Sequence, residues 1–424
     1  MKPKSKFLLL DAHALIHRAY HALPTSFVTK KGELVNAVYG FTSVLLKILK
    51  EQKPDYVAAA FDTAEPTFRH KEFKEYKAQR PTTAFDLVSQ IPKIKEILEA
   101  LDIAVLEAPG FEADDIIATL VQKFSEDTNI LIATGDLDTL QLVNETVKVL
   151  TFKKGVSDTL VYDISAVSKR FGLEPTQLVD FKALKGDPSD NIPGVPGVGE
   201  KTAATLIQQF GSLEKLYQAL ENSTVDLKDS LKNKLLENKE AAFFSKKLVL
   251  LRLDALVSCQ LKDLKFKGLH NRLKLESLLQ ELGFFSLFER LSKETSKSPS
   301  LEISKGEKSS VKELSLEDLT ALKKAKKLVF SYRLGERDLA ELFISAPKGI
   351  TFPVSKKNLD SLKDVLSDTQ VKKIGYDLKA LWHALQKEGL SLDGLHFDVM
   401  LASYVLYPGR RDYPLERIIF QELG

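Results

Sequence analysis

Nine carboxylates stand where chemistry is most easily assembled: Asp11, Asp62, Glu112, Asp114, Asp115, Asp136, Asp138, Asp187 and Asp190. Asp11, Asp62 and Asp136 each close a short apolar run, KFLLLD, YVAAAFD and NILIATGD. Glu112, Asp114 and Asp115 open an amphipathic stretch just after Pro109-Gly110, Asp138 follows Asp136 by two residues, and GDPSDN supplies Asp187 and Asp190. Taken singly, each acid has a structural explanation, because carboxylates complement a first helical turn and Asp caps turns at strand ends. As a set they read differently. Like charges gathered in one cleft stay ionised together only if cations neutralise them. Oxygen ligands without Cys or a His pair point to hard ions, Mg²⁺ or Mn²⁺. Two such ions ~4 Å apart ionise a water and stabilise both the attacking and the leaving oxygen of a phosphodiester.

The basic stretch FRHKEFKEYKAQRP follows Asp62 closely and sets Arg69, Lys71, Lys74, Lys77 and Arg80 among Phe68, Phe73 and Tyr76. A solvated helix face explains such a pattern, and so does a nucleic-acid surface whose aromatics stack on bases. Lys77 or Arg80 is then placed to offset charge on a scissile phosphate. GVPGVGEKTA is not a Walker loop, since Glu200 intervenes between Gly199 and Lys201 and no strand precedes it. It reads either as a tight turn or as a hairpin between helices. In the second case Gly194, Gly197 and Gly199 let backbone N–H groups approach a DNA phosphate, with Lys201 and Thr202 in the helix that starts near Glu200. GDLDTLQ approaches the Asp-x-Asp-x-Thr loop of haloacid-dehalogenase-like phosphatases, but Leu140 occupies the Thr position. His13, His17 and His21 share four-residue spacing, which would put them on one helical side. As metal ligands they would need a helix that begins right after Asp11, and no Glu accompanies them in a metalloprotease pattern, so they read as lining a DNA-facing surface or as incidental.

Positioning these residues requires strands that end on one edge. KFLLLD, YVAAAFD, IAVLE, NILIATGD and VKVLTF read as buried strands, and Ala37–Gln52, Phe85–Leu101 and Glu112–Phe124 carry helical apolar spacing between them. That alternation predicts an α/β fold, a mainly parallel sheet covered on both faces, with ligands at the carboxyl ends of its strands. The pattern divides the chain into a catalytic core over 1–165, a helical DNA-binding part over 166–291, a Ser-, Lys- and Glu-rich linker over 292–318 and a second, partial α/β unit over 319–424. The chain stops at Gly424 without a clear closing element, which suggests a piece of a longer polypeptide or a second domain lacking its C-terminal half.

A length of 424 residues exceeds one ordinary core, and 44% hydrophobic with 28% charged residues excludes a disordered or fibrous chain. The single cysteine, Cys259, excludes an internal disulfide and a cysteine-rich zinc site, and fits a reducing compartment. No signal-peptide core or membrane-length apolar run is present, so a cytoplasmic protein is expected. The formal charge of +3 does not by itself suggest nucleic acid, yet removing nine metal-facing acids from 58 leaves 49 against 61 Lys and Arg. The surface around such a cluster suits a polyanion.

With these residues in view, the chain resembles the N-terminal portion of the bacterial DNA polymerase I family. Residues 1 to about 290 resemble its 5′-nuclease domain, of the flap-endonuclease superfamily, in LLLDAHALIHRAYHAL, AVYGF, FDTAEPTFRHKEFKEYKAQRP, PGFEADDIIATL, TGDLDTLQL and GDPSDNIPGVPGVGEKTA. The resemblance implies that Asp11, Asp62, Glu112 and Asp114 hold one metal. It implies that Asp136, Asp138 and Asp190, with Asp115 and Asp187 nearby, hold a second directly or through waters. Lys77 and Arg80 would contact the scissile phosphate, Arg18, Tyr20 and Arg69 would steer the 5′ end, and the 194–203 hairpin would grip duplex DNA with a bound K⁺. Residues about 320–424 resemble the family's 3′→5′ proofreading domain more weakly, through FDVMLASYVL. KLVFSYRLGERD lacks the Asp-x-Glu pair in register and the third carboxylate position falls on Leu381, so a catalytically dead spacer is expected there. No polymerase activity is expected. The functional expectation is a metal-dependent, monomeric, structure-specific 5′-nuclease acting on flaps, nicks or gaps in replication and repair. The competing readings are a non-catalytic DNA-junction binder and a small-molecule phosphatase.

Overall fold

The computed structural model describes residues 4–29, 31–153, 158–222, 226–268, 272–294, 320, 322–335, 339–346, 351–354, 358–407 and 412–422. The chain divides into two compact units, Met1–Leu282 and Gly283–Gly424. In the first, strands β1 (Ser5–Asp11), β2 (Tyr56–Phe61), β3 (Ala104–Glu107), β4 (Thr128–Ala133), β5 (Val147–Phe152) and β6 (Thr159–Tyr162) form one sheet in the order β3-β2-β1-β4-β5-β6. Neighbours pair parallel except β5 with β6, a short antiparallel edge that the sequence pattern did not flag. Phe7 to Leu10 are buried without a break because helices cover both faces. Each such side chain contributes about 1.5–3 kcal/mol of burial free energy.

The strand order matters for the site. The chain works outward from β1 to β3 and then returns to β4 on the other side of β1, so the winding reverses between β1 and β4. Such a switch point opens a crevice at the carboxyl ends of the strands. Asp11 is the last residue of β1, in register with Ala60 of β2, so Asp62 lies just past the same edge.

Helices α1 (Ala12–Ala22), α2 (Asn36–Gln52), α3 (Phe68–Glu72), α4 (Phe85–Val88), α5 (Ile91–Ala100) and α6 (Ala113–Phe124) complete this part. The expected helix over 85–101 is split into α4 and α5, with Pro92 in the first turn of α5. Pro there leaves no N–H needing a helical partner. From Ile164 the unit is helical: α7 (Ile164–Phe171), α8 (Leu178–Lys185), α9 (Glu200–Phe210), α10 (Leu213–Glu221), α11 (Asp229–Glu237), α12 (Lys239–Val249) and α13 (Arg272–Glu281).

In the second unit, β7 (Lys327–Leu334), β8 (Leu339–Ser345) and β9 (Thr351–Val354) pair antiparallel, while β10 (Lys372–Gly375) and β11 (Leu395–Asp398) continue parallel beside β7. Leu381 is buried in this unit's core with Leu328, Phe330 and Leu342. Helix α14 (Phe285–Glu294) packs Phe285 and Phe288 on Phe420, with ring centres 5.6 and 4.8 Å apart, so the helix spanning the expected boundary at 291 belongs to the second unit. Of the expected linker, residues 295–318 lie outside the described residues, as do Glu336, Arg337 and Asp338 in KLVFSYRLGERD.

Candidate active site

Helix α1 starts where β1 stops, so Asp11 ends a strand and caps a helix at once. Its Oδ1 accepts the Ala14 amide at 3.0 Å and its Oδ2 accepts the Thr134 hydroxyl at 2.5 Å. The same Thr134 oxygen accepts the Asp136 amide at 2.9 Å, and Asp136 Oδ1 accepts the Asp138 amide at 2.9 Å. One hydroxyl thereby couples the ends of β1 and β4. Asp62 Oδ1 accepts the Ala113 amide at 2.7 Å, which ties the end of β2 to the first turn of α6. The Asp62 amide donates to His13 Nδ1 at 3.1 Å, so His13 carries its proton on Nε2 and is neutral. Burial lowers the His13 pKa in agreement, against the pull of Asp62.

Asp114 faces the same place from α6. Its Oδ1 is buried without a hydrogen-bond partner among the described residues. Burial raises its pKa well above the carboxylate range, and Asp11, Asp136, Asp138 and Asp62 add to the rise. Burial, helped by Asp62 and Asp136, likewise pushes Asp11 up to about 7. Among the described residues, Asp11, Asp62, Asp114 and Asp136 have no Lys or Arg within ion-pair distance. These four carboxylates are a site in need of positive charge, and an orphaned buried oxygen among them fits a hard divalent cation. The described acids do not already close into a three-ligand cage. Mutual repulsion without a counter-ion gives them no reason to converge.

The remaining acids have internal cations. Glu112 Oε1 accepts Lys77 Nζ at 2.9 Å, and Lys77 also lies 3.8 Å from Asp190. Arg80 pairs with Asp190. Lys182 donates to Asp187 Oδ2 at 2.8 Å and pairs with Asp138. Burial works against the charged form of Lys77, yet Glu112 and Asp190 hold its pKa above the ordinary lysine value. Burial raises Asp138 to about 6, with Asp136 pushing the same way and Lys182 opposing.

Four sequence expectations need correction. Asp115 was expected near a second metal, but it is fully buried and each of its oxygens already accepts two bonds. Oδ1 takes Arg69 Nη2 at 2.9 Å and the Arg252 amide at 2.9 Å; Oδ2 takes Arg69 Nη1 at 2.8 Å and the Glu112 amide at 3.1 Å. Arg69, expected to steer a 5′ end, is 2% exposed and also donates to the Leu248 carbonyl at 2.8 Å. A guanidinium used in this way cannot also reach DNA. Tyr76, expected to stack on bases, is 4% exposed, and its hydroxyl sits 3.1 Å from Glu112 and 3.2 Å from Asp190. It therefore bridges two acids from distant parts of the chain. Gly194, expected to offer its N–H to a phosphate, is buried and donates that N–H to Ser245 Oγ at 3.0 Å.

The other glycines of the hairpin, Gly197 and Gly199, are exposed, as is Lys201, and Thr202 is half-buried. Gly199 caps α9, so the free N–H groups of that first turn face outward with Lys201 and Thr202. Gly194 has a different task. It adopts φ +62°, and a Cβ there would lie 2.3 Å from the Gly186 nitrogen, so only glycine lets these two backbone segments touch.

An open cleft of about 1500 Å³ brings Asp11, Asp62, Glu112 and Asp136 together with Arg18, Tyr20, Lys77 and Arg80. His13, His17 and His21 line it too, because α1 does begin directly after Asp11. Sequence reasoning missed Thr134, Lys182 and Arg252. Thr134 had a signal, a hydroxyl two residues before Asp136 in ATGD; Lys182 had none that separates it from a solvated lysine.

Family models match in three places: the 5′-3′ exonuclease N-terminal resolvase-like domain over residues 6–172, the 5′-3′ exonuclease C-terminal SAM fold over 173–272, and the DNA polymerase I ribonuclease H-like domain over 336–422. Curated relatives include DNA polymerase I of Bacillus subtilis, 34% identical over 96% of this chain and 46% of its own, and that of Caldicellulosiruptor bescii, 37% identical over 99% and 48%. The chain thus spans about half the length of the curated relatives it matches. Among solved structures it is similar to T5 5′-exonuclease with bound zinc (21% identity, TM-score 0.47, 57% of this chain and 89% of that one). It is also similar to the catalytic core of Rad2 with DNA substrate (19% identity, TM-score 0.44, 65% and 87%).

Proposed function

Because the chain belongs to the DNA polymerase I family, with that family's 5′-3′ exonuclease domains over residues 6–272, we propose that its first unit hydrolyses DNA phosphodiesters near 5′ ends, as a metal-dependent 5′-nuclease. The observation that carries this reading is the buried Asp114 oxygen beside Asp11, Asp62 and Asp136, which among the described residues has no hydrogen-bond partner, in a set of acids that meets no Lys or Arg there. Asp11, Asp62, Asp114 and Asp136 would hold the first divalent cation, Mg²⁺ by hardness and availability, and Glu112, Asp138, Asp187 and Asp190 the acids of a second site. This exchanges Glu112 and Asp136 relative to the division the resemblance implied, because Glu112 is paired with Lys77 whereas Thr134 links Asp136 to Asp11. Bound there, such ions acidify water and neutralise phosphoryl oxygens.

The chain's own groups do the rest. Lys77 and Arg80 project into the cleft and are held protonated by the acids they touch, so they are poised to transfer to a phosphate that outcompetes those contacts. Lys77 adopts φ +55° and its amide bonds to the Asp190 carbonyl at 3.1 Å, which fixes where its side chain starts. Arg18 and Tyr20 on α1 line the entry side and suit an incoming 5′ strand. Thr134 and Tyr76 hold carboxylates from separate elements at fixed spacing. The exposed Gly197, Gly199, Lys201 and Thr202 suit the backbone of a downstream duplex, with K⁺ as an additional ion at that turn. The substrates are then flapped, nicked or gapped duplexes.

The test is a 5′-labelled flap duplex incubated with the protein and Mg²⁺, with and without chelator. Short labelled products that vanish with chelator are expected. Retention of the duplex without cleavage, insensitive to Mg²⁺, would mean a junction binder instead.

A further inference from the structure

Lys182 lies among the acids named for the second site, and its contacts set that site apart from the first. It projects from α8 with a side chain 21% exposed, donates to Asp187 Oδ2 at 2.8 Å and pairs with Asp138. Lys182 and Asp138 border a cavity of about 20 Å³ whose other walls include Leu137, Phe171, Phe181 and Val249. With an apolar wall on one side, the ammonium depends on these two carboxylates for most of its hydrogen bonding. They depend on it in turn. Among the described residues, Asp11, Asp62, Asp114 and Asp136 have no such partner.

A divalent ion can enter the first group without displacing a Lys or Arg among the described residues. To reach the oxygens of Asp138 and Asp187 it must break two charge-assisted hydrogen bonds and then tolerate an ammonium nearby. We propose that Lys182 is an internal cation that keeps the Asp138–Asp187 pair closed to divalent ions, so that the two halves of the acidic cleft fill at different metal concentrations. The inference rests on the reading of these acids as metal ligands. It adds that the second half opens only when something else, such as a bound phosphate, draws the ammonium away.

Mn²⁺ titration of the whole chain without DNA, followed by the paramagnetic resonance of the free ion, tests this directly. The unaltered protein should bind one ion tightly and a further ion much more weakly. Lys182→Gln removes the charge but keeps a donor, and should tighten the weak step by ~10-fold or more while leaving the tight step alone. Lys182→Met should do the same by another route, and Lys182→Arg, which keeps the charge, should leave both steps as they were. An unchanged weak step in both Lys182→Gln and Lys182→Met, or an equal shift of both steps, overturns the proposal. Absence of any bound ion in the unaltered protein would sink the metal reading itself, and this inference with it.

Discussion

Among the described residues, Asp114 carries a buried oxygen without a partner, beside three other carboxylates that meet no Lys or Arg. Burial opposes the ionisation of that group until a cation arrives, and its oxygen stays unsatisfied meanwhile. Asp114→Asn should therefore stabilise the metal-free protein by about 1–3 kcal/mol. It should also abolish the rise in Tm that Mg²⁺ gives the unaltered chain, which thermal melts with and without chelator would show. Asp11 adds a pH dependence. Burial lifts its folded pKa to about 7 from the ordinary 3.8, so the folded state keeps a proton that the unfolded chain has already released. Stability in chelator should then fall as pH rises from about 4 to 7, opposite to the usual carboxylate trend. A Tm that climbs across that window would contradict the assigned burial. Lys77→Ala should lower turnover by ~10²-fold or more while sparing DNA affinity, since its charge is wanted where the phosphate develops charge.

Between elements, two contacts carry disproportionate weight. The Arg69 guanidinium joins α3 to α6 through Asp115 and to the end of α12 through the Leu248 carbonyl. Truncation in Arg69→Ala leaves Asp115 buried and uncompensated, and should cost about 3–5 kcal/mol in urea unfolding. A loss confined to DNA binding would instead restore the steering role read from sequence. The approach of Gly194 to Gly186 fixes the turn between α8 and α9. Gly194→Ala meets both a positive φ and backbone atoms under 3 Å away, so a loss of about 2 kcal/mol or more is expected together with weaker duplex binding.

At the scale of the molecule, every residue of the cleft and hairpin lies in the unit ending at Leu282. A chain cut after Leu282 should melt cooperatively and keep Mg²⁺-dependent flap cleavage; loss of both would mean that the second unit is part of the working nuclease. The near-balance of 61 basic and 58 acidic residues conceals a local imbalance: among the described residues Asp11, Asp62, Asp114 and Asp136 meet no Lys or Arg, while the other site acids are paired with Arg69, Lys77, Arg80 and Lys182. The described residues include no helix long and apolar enough to cross a membrane.

The sequence by itself determined the parallel sheet and the edge at which Asp11, Asp62 and Asp136 would meet, because apolar runs that end in Asp report both burial and strand direction. It also marked the glycine turn before α9. Only the tertiary structure decided which charges were free. Arg69 and Lys77 sit in one basic run eight residues apart, yet one is sealed against Asp115 and the other opens onto the cleft. Asp114 and Asp115 are adjacent, yet among the described residues one lacks a partner for a buried oxygen and the other has four donors. Local periodicity reports which way a side chain leaves its own helix. What waits on the far side, a guanidinium, a Thr hydroxyl or the ammonium of Lys182, comes from segments tens of residues away and is set by the packing of the whole.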